Sequence, residues 1–121
     1  MSIETVKLSE KAKGQLVLLK RRTGIENWNV LCRWALMLSL EDGSKPAQET
    51  ITTDSNVEMS WKVFGGDYAD LYMAMLQERA HEEGQSNLNE CLKLHLHRGI
   101  SFAVNRIDNL DGIFSLLVQE G

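Results

Sequence analysis

Thr5-Val6-Lys7-Leu8-Ser9, running straight into Glu10-Lys11-Ala12-Lys13-Gly14-Gln15-Leu16-Val17-Leu18-Leu19-Lys20-Arg21-Arg22, is the stretch that decides the fold. Val6 and Leu8 alternate with Thr5, Lys7 and Ser9, the period-two signature of a strand with one apolar and one polar face. Ser9 has the hydroxyl of an N-cap, and Glu10 supplies the negative charge favoured in a first helical turn. Ala12, Leu16 and Leu19 then follow at spacings of four and three, so residues 9–22 are expected to form an amphipathic helix. Lys20, Arg21 and Arg22 suit its C-terminal end and Gly24 its stop. Beyond the turn, Asn27 or Asn29 can cap a second helix from Trp28 to about Leu40. That helix is apolar nearly all round, with Arg33 as its only charge, and so calls for cover on most sides, as at a subunit interface.

The strand–helix–turn–helix order matches the ribbon-helix-helix plan, in which strands of two chains pair into a ribbon whose polar side faces DNA. On that plan Thr5 and Lys7 point outward and Val6 and Leu8 enter a shared core. A lone strand with a bare edge is marginal, so the plan implies at least a dimer.

Charge is divided unevenly along the chain. Residues 1–40 carry a net +4 and residues 41–121 a net −8, within an overall −4. A polyanion would therefore meet attraction mainly in the first third. Lys7, Lys11, Lys13, Lys20, Arg21 and Arg22 are the candidate DNA-phosphate contacts. The alternative is that Lys20, Arg21 and Arg22 only satisfy a helix C-terminus, with Lys7 and Lys13 on solvated faces.

The chain's 121 residues suit a single, mainly α domain: a basic ribbon-helix-helix-like unit (1–40), an acidic, Ser/Thr-rich linker holding the sole proline, Pro46 (41–56), and a helical remainder (57–121). In the remainder, Val57, Met59, Trp61 and Val63 alternate with polar residues as in a second strand. Phe64-Gly65-Gly66-Asp67 reads as a turn with Asp67 capping a helix to about Glu83. The expected apolar face of that helix carries Tyr68, Leu71, Tyr72, Met75, Leu76 and Arg79, and Gly84 stops it. Leu88, Cys91, Leu92, His95 and Leu96 mark a fourth helix, and Leu110, Ile113, Phe114 and Leu117 a short last one.

Several chemistries find no support. Cys32 and Cys91 form no Cys-x-x-Cys pair and are expected as reduced core thiols of a cytoplasmic protein. The longest apolar run, Ala35 to Leu40, is too short for a membrane span. Gly65-Gly66 lacks the residues of a phosphate loop. His95-x-His97 with Cys91 one turn earlier falls short of a metal site's ligand count, so no metal or cofactor is expected, and His95 reads as a hydrogen-bonded core residue. Glu82-Glu83 looks like an exposed helix end rather than a nuclease carboxylate cluster. No catalytic set stands out.

Several blocks together carry a resemblance: Ser2-Ile3-Glu4 with Val6 through Lys13; Thr23-Gly24-Ile25 with Asn27 through Leu36; Asp54 through Met59 with Trp61 through Gly66; and Leu94-His95-Leu96-His97-Arg98-Gly99-Ile100. In that order and at that spacing the chain resembles the DndE family of DNA sulfur modification proteins, except in 41–53 and beyond about Ser101. The resemblance implies a small non-catalytic subunit of a bacterial system that replaces a non-bridging DNA phosphate oxygen by sulfur. It further implies a homotetramer that favours nicked duplex DNA, with the chemistry left to other subunits, a cysteine desulfurase and an iron–sulfur protein among them. Lys7, Lys11 and Lys13 fall within the matched N-terminal block. The competing reading is a protein-interaction adaptor whose acidic remainder docks onto partner subunits. A nicking enzyme would need a metal-ligand cluster that the sequence does not display.

Overall fold

The computed structural model describes residues 3–120, with their side chains to Asp108. Strand β1 (Thr5–Lys7) leads into α1 (Glu10–Thr23) and α2 (Trp28–Asp42). Then come β2 (Glu58–Ser60), the short α3 (Trp61–Gly65), a 3-10 turn (Gly66–Tyr68), α4 (Ala69–Glu82) and α5 (Leu88–Glu120). The fold is thus mainly helical with a ribbon-helix-helix-like opening. Ser9 caps α1, its side chain accepting from Ala12 N–H, and Gly24 closes the helix in the left-handed conformation at φ 76°.

The ribbon is completed within one chain. β1 and β2 are antiparallel, with Thr5 opposite Ser60, Val6 opposite Met59 and Lys7 opposite Glu58. Val6 and Leu8 are buried while Lys7 stays exposed, so the faces fall as the alternation predicts. Because β2 already pairs β1, the argument from a lone strand to an obligatory dimer loses its premise.

Residues 43–57 are irregular but firmly attached. Glu10 N–H donates to the Asp54 carboxylate at 3.0 Å, and the Ser55 hydroxyl donates to Leu8 C=O at 2.6 Å. Pro46 is buried. The strap therefore fixes the N-terminal end of α1 over the rest of the molecule.

Three expectations about residues 57–83 need correction. Trp61 and Val63 belong to helix α3, not to the second strand. The Ser60 hydroxyl accepts from Val63 N–H and starts the helix, so burial follows Trp61 and Phe64 and leaves Val63 53% exposed. Asp67 does not cap α4; it sits inside the 3-10 turn that Gly66 enters at φ 57°. Tyr68 and Leu71 are exposed, because α4 turns Tyr72, Met73, Met75, Leu76 and Ala80 inward instead. Trp61, Phe64 and Tyr72 form an aromatic run, with centroids 5.1 Å and 5.8 Å apart.

The fourth and fifth helices are one. No proline or helix-stopping cap falls between them, and α5 runs 33 residues from its Asn87 cap. The apolar face expected of Leu110, Ile113, Phe114 and Leu117 lies outside the described residues. The α2–α5 crossing is the main seam of the core. At Gly99 a Cβ would stand 1.8 Å from Ala35 C=O, so only glycine lets the two backbones meet. α5 thereby covers most of α2, leaving Val30 and Trp34 half-buried and Met37 37% exposed.

Candidate nucleic-acid interface

Lys20 follows Lys13 by seven positions, and Arg22 follows Lys11 by eleven. Helical geometry puts the first pair on one flank of α1 and the second on the other, with Arg21 on the outer crest between them. The buried stripe of Ala12, Leu16 and Leu19 faces the opposite way. The solvent half of α1 therefore carries cations on both flanks and at its crest, interspersed with Glu10 and the 40% exposed Val17.

The six candidates differ in how far their charge is already neutralised. Arg22 is ion-paired with Asp108. Lys7 faces Glu58 at 4.0 Å across the ribbon, with both side chains more than half exposed, a contact of little energy. Lys13 donates to the neutral Asn56 side chain at 2.7 Å, and Lys20 Nζ lies 5.6 Å from the centroid of the Trp28 ring. Lys11 and Arg21 have no carboxylate partner among the described residues. Four cations on α1 thus keep their full charge for an external anion, whereas Arg22 and Lys7 are partly spent.

The flanks adjoin different surroundings. On the Lys11 side, Gln15 donates to Ser101 at 3.2 Å, and a cleft of about 450 Å³ runs between α1, α5 and the 46–52 strap. His97 spans this junction. Its Nε2 accepts from Ser9 N–H at 3.1 Å and its Nδ1–H donates to Lys93 C=O at 2.7 Å. The Lys13 side opens into a groove between the α1–α2 turn and β2.

A second polar cluster lies inside the core, where α2, α4 and α5 meet. Arg98 Nε–H donates to Ser39 Oγ at 2.9 Å, and Ser39 Oγ stands 2.9 Å from His95 Nδ1. His95 Nε2 lies 3.0 Å from the Glu83 carboxylate, which only accepts, so Nε2 carries the proton and bare Nδ1 takes the serine hydroxyl. Burial holds the His95 pKa below its ordinary value against the opposing pull of Glu83, and Arg98 and Arg79 push the same way as burial. The contact order is that of a Ser-His-acid triad, but Ser39 and His95 are both 0% exposed. The hydroxyl is sealed from any substrate and works as a structural relay.

Cys91 joins His95 as their shared helix face predicts, and Glu83, expected at an exposed helix end, comes with them, its side chain 9% exposed. Their potential ligand atoms lie within 4.8 Å of one another, one residue short of a closed tetrahedral site. Arg79 reaches Glu83 at 3.9 Å, and Arg98 stands beside His95. Burial first, and Glu83 second, push the Cys91 thiol up to about 11. Two guanidiniums and a protonated thiol favour a hydrogen-bonded core cluster over a cation site. Cys32 is likewise a buried free thiol, pushed up to about 12 by burial.

Among the described residues no helix is long and apolar enough to cross a membrane. None of the curated proteins compared matches the chain. Among solved structures, the chain is similar in fold to DndE from Escherichia coli B7A, described as involved in DNA phosphorothioation modification. That likeness has 22% identity and a TM-score of 0.71, over 84% of this chain and 96% of the other. A double glycine-to-lysine mutant of DndE involved in DNA phosphorothioation is similar at 20% identity and a TM-score of 0.67, over 86% of this chain and 99% of that one. A family model described as DNA sulphur modification protein DndE matches residues 5–110, a span that takes in the ribbon, the basic helix and the Ser39–His95–Glu83 cluster; the chain belongs to the DndE family.

Proposed function

We propose that this protein is a non-catalytic DNA-binding subunit of a bacterial DNA phosphorothioation complex. It holds duplex DNA, nicked duplex in preference, against the basic half of α1 and the neighbouring face of β1, and acts in the cytoplasm as a homotetramer beside the subunits that carry the sulfur chemistry. The observation that supports this reading best is the uncompensated charge of Lys11, Lys13, Lys20 and Arg21 on one solvent-facing half-helix of an otherwise acidic chain. Such a surface gains affinity by releasing condensed counterions from the phosphates it meets. Contacts of this kind position a duplex without reading its sequence. The half-exposed Val30, Trp34 and Met37 lie on one face of α2 and support association with further copies or partner subunits.

Replacing Lys7, Lys11 and Lys13 with Glu reverses two exposed charges and one half-buried charge without touching a core side chain. The triple variant is expected to retain its helical circular dichroism and to lose measurable binding in a mobility-shift titration. Undiminished affinity would remove the site from this surface. The adaptor reading, in which the acidic remainder docks onto partner subunits, predicts that wild-type protein binds neither intact nor nicked duplex at any salt concentration.

A further inference from the structure

The groove on the Lys13 flank of α1 is lined in a way that does not suit a phosphate. It encloses about 480 Å³ between the α1–α2 turn and β2, within the range of small-ligand sites. The indole of Trp28 forms part of its wall, and Glu26 and Glu58 stand among its lining residues. Two carboxylates beside an anion would oppose it. They are suitable acceptors for the amino group of a neutral ring.

The amides of the groove are only partly spent. Asn27 occupies the N-cap position of α2 but makes no side-chain cap bond, and both ends of its amide are without a partner among the described residues. Asn29 uses its amide N–H on Val63 C=O at 3.1 Å and keeps its oxygen. Asn56 uses its oxygen on Lys13 and keeps its N–H groups. Donors and acceptors therefore surround an aromatic plate, while Lys13 adds positive charge along the α1 edge and Lys20 Nζ stands 5.6 Å from the Trp28 ring centroid. A flat heterocycle with mixed donors and acceptors on its rim, linked on either side to phosphates, satisfies all of these groups together.

We infer that this groove binds an unstacked nucleobase of DNA, with Trp28 as the stacking surface, the asparagine amides on the base edge, and Lys13 and Lys20 on the flanking backbone. The inference rests on the DNA-binding reading above and deepens it. A base within an intact stack cannot enter, whereas one at a strand break or in a single-stranded tail can. Selectivity for interrupted DNA then resides in the groove, and general affinity in the outer face of α1.

The test uses the full-length protein and three labelled DNAs of one sequence: an intact duplex, the same duplex with one nick, and a duplex with a single-stranded tail. Trp28→Ala is expected to reduce the ratio of nicked or tailed affinity to intact affinity about tenfold, and Trp28→Phe to restore most of it. Asn27→Asp, at an exposed position where Asp is an equally good N-cap, is expected to lower the same ratio without any loss of thermal stability. An unchanged ratio in Trp28→Ala and Asn27→Asp would overturn the groove while leaving DNA binding intact. Wild-type protein that binds none of the three DNAs would overturn the DNA-binding reading, and the groove with it.

Discussion

Ser39 shows how one buried hydroxyl can hold three elements together. It receives Arg98 Nε–H and gives its own proton to His95, whose other nitrogen bonds Glu83. Ser39→Ala would leave a guanidinium N–H and an imidazole nitrogen unsatisfied in the core. We expect it to cost about 1–3 kcal/mol in urea denaturation, since the penalty of an unmet buried partner governs. His95 could be placed in the core from the sequence because it lies on the stripe of Leu88, Leu92 and Leu96. Ser39 and Glu83 could not, because their roles depend on contacts across 56 and 12 residues that no local pattern encodes.

The buried His95 and the half-buried His97 also make stability depend on pH. Burial lowers both pKa values from the ordinary 6.5, so each ring stays neutral in the folded protein at a pH where the unfolded chain takes up a proton. Their contribution is therefore complete above about pH 6.5 and is lost as pH falls below it. For His97 the loss has a direct cause: a protonated Nε2 would face the Ser9 N–H that it now accepts. The urea midpoint should fall between pH 7.5 and pH 5.5, and His97→Gln should reduce that fall. Equal midpoints at both pH values would contradict the assigned neutral rings.

At the scale of elements, the helices with strong end signals were legible and the composite ones were not. α1 has a capping serine, a clean apolar stripe and a closing glycine, and it forms as its sequence specifies. In residues 57–63 two patterns compete. The alternation favours a strand throughout, but Ser60 can cap a helix, and the three-residue spacing of Trp61 and Phe64 buries two rings where a strand would bury Trp61 with Val63. The single α5 was obscured by Gly99, although the apolar stripe runs on through Ala103 and Ile107 and no proline or cap terminates the helix there. Gly99 inside it looks like a breaker and is instead the contact point with Ala35. Gly99→Ala would force the α2 and α5 backbones apart and is expected to destabilise the protein by about 3 kcal/mol or more, against the usual modest gain of alanine in a helix. Thermal unfolding followed by circular dichroism reads this directly.

For the whole molecule, the uneven charge was visible in the sequence, but its distribution over the surface was not. Sequence counts Lys7, Lys11, Lys13, Lys20, Arg21 and Arg22 alike. The structure separates them: Asp108 neutralises Arg22, Glu58 stands across from Lys7, and Lys13 and Lys20 border the Trp28 groove. Asp108 follows these cations by more than eighty residues, and Trp28 reaches Lys20 only because α2 folds back beside α1. On this account the outer half of α1 supplies affinity and the groove supplies discrimination.

The most direct test of that account is a fluorescence-anisotropy titration of the wild-type protein against intact and nicked duplexes of identical sequence, from 50 to 200 mM salt. Four phosphate-contacting cations per protomer predict a loss of affinity of about 100-fold across that range, with the nicked duplex bound more tightly throughout. Affinity independent of salt, or no binding to either duplex, would contradict a DNA-binding role for the basic half of α1.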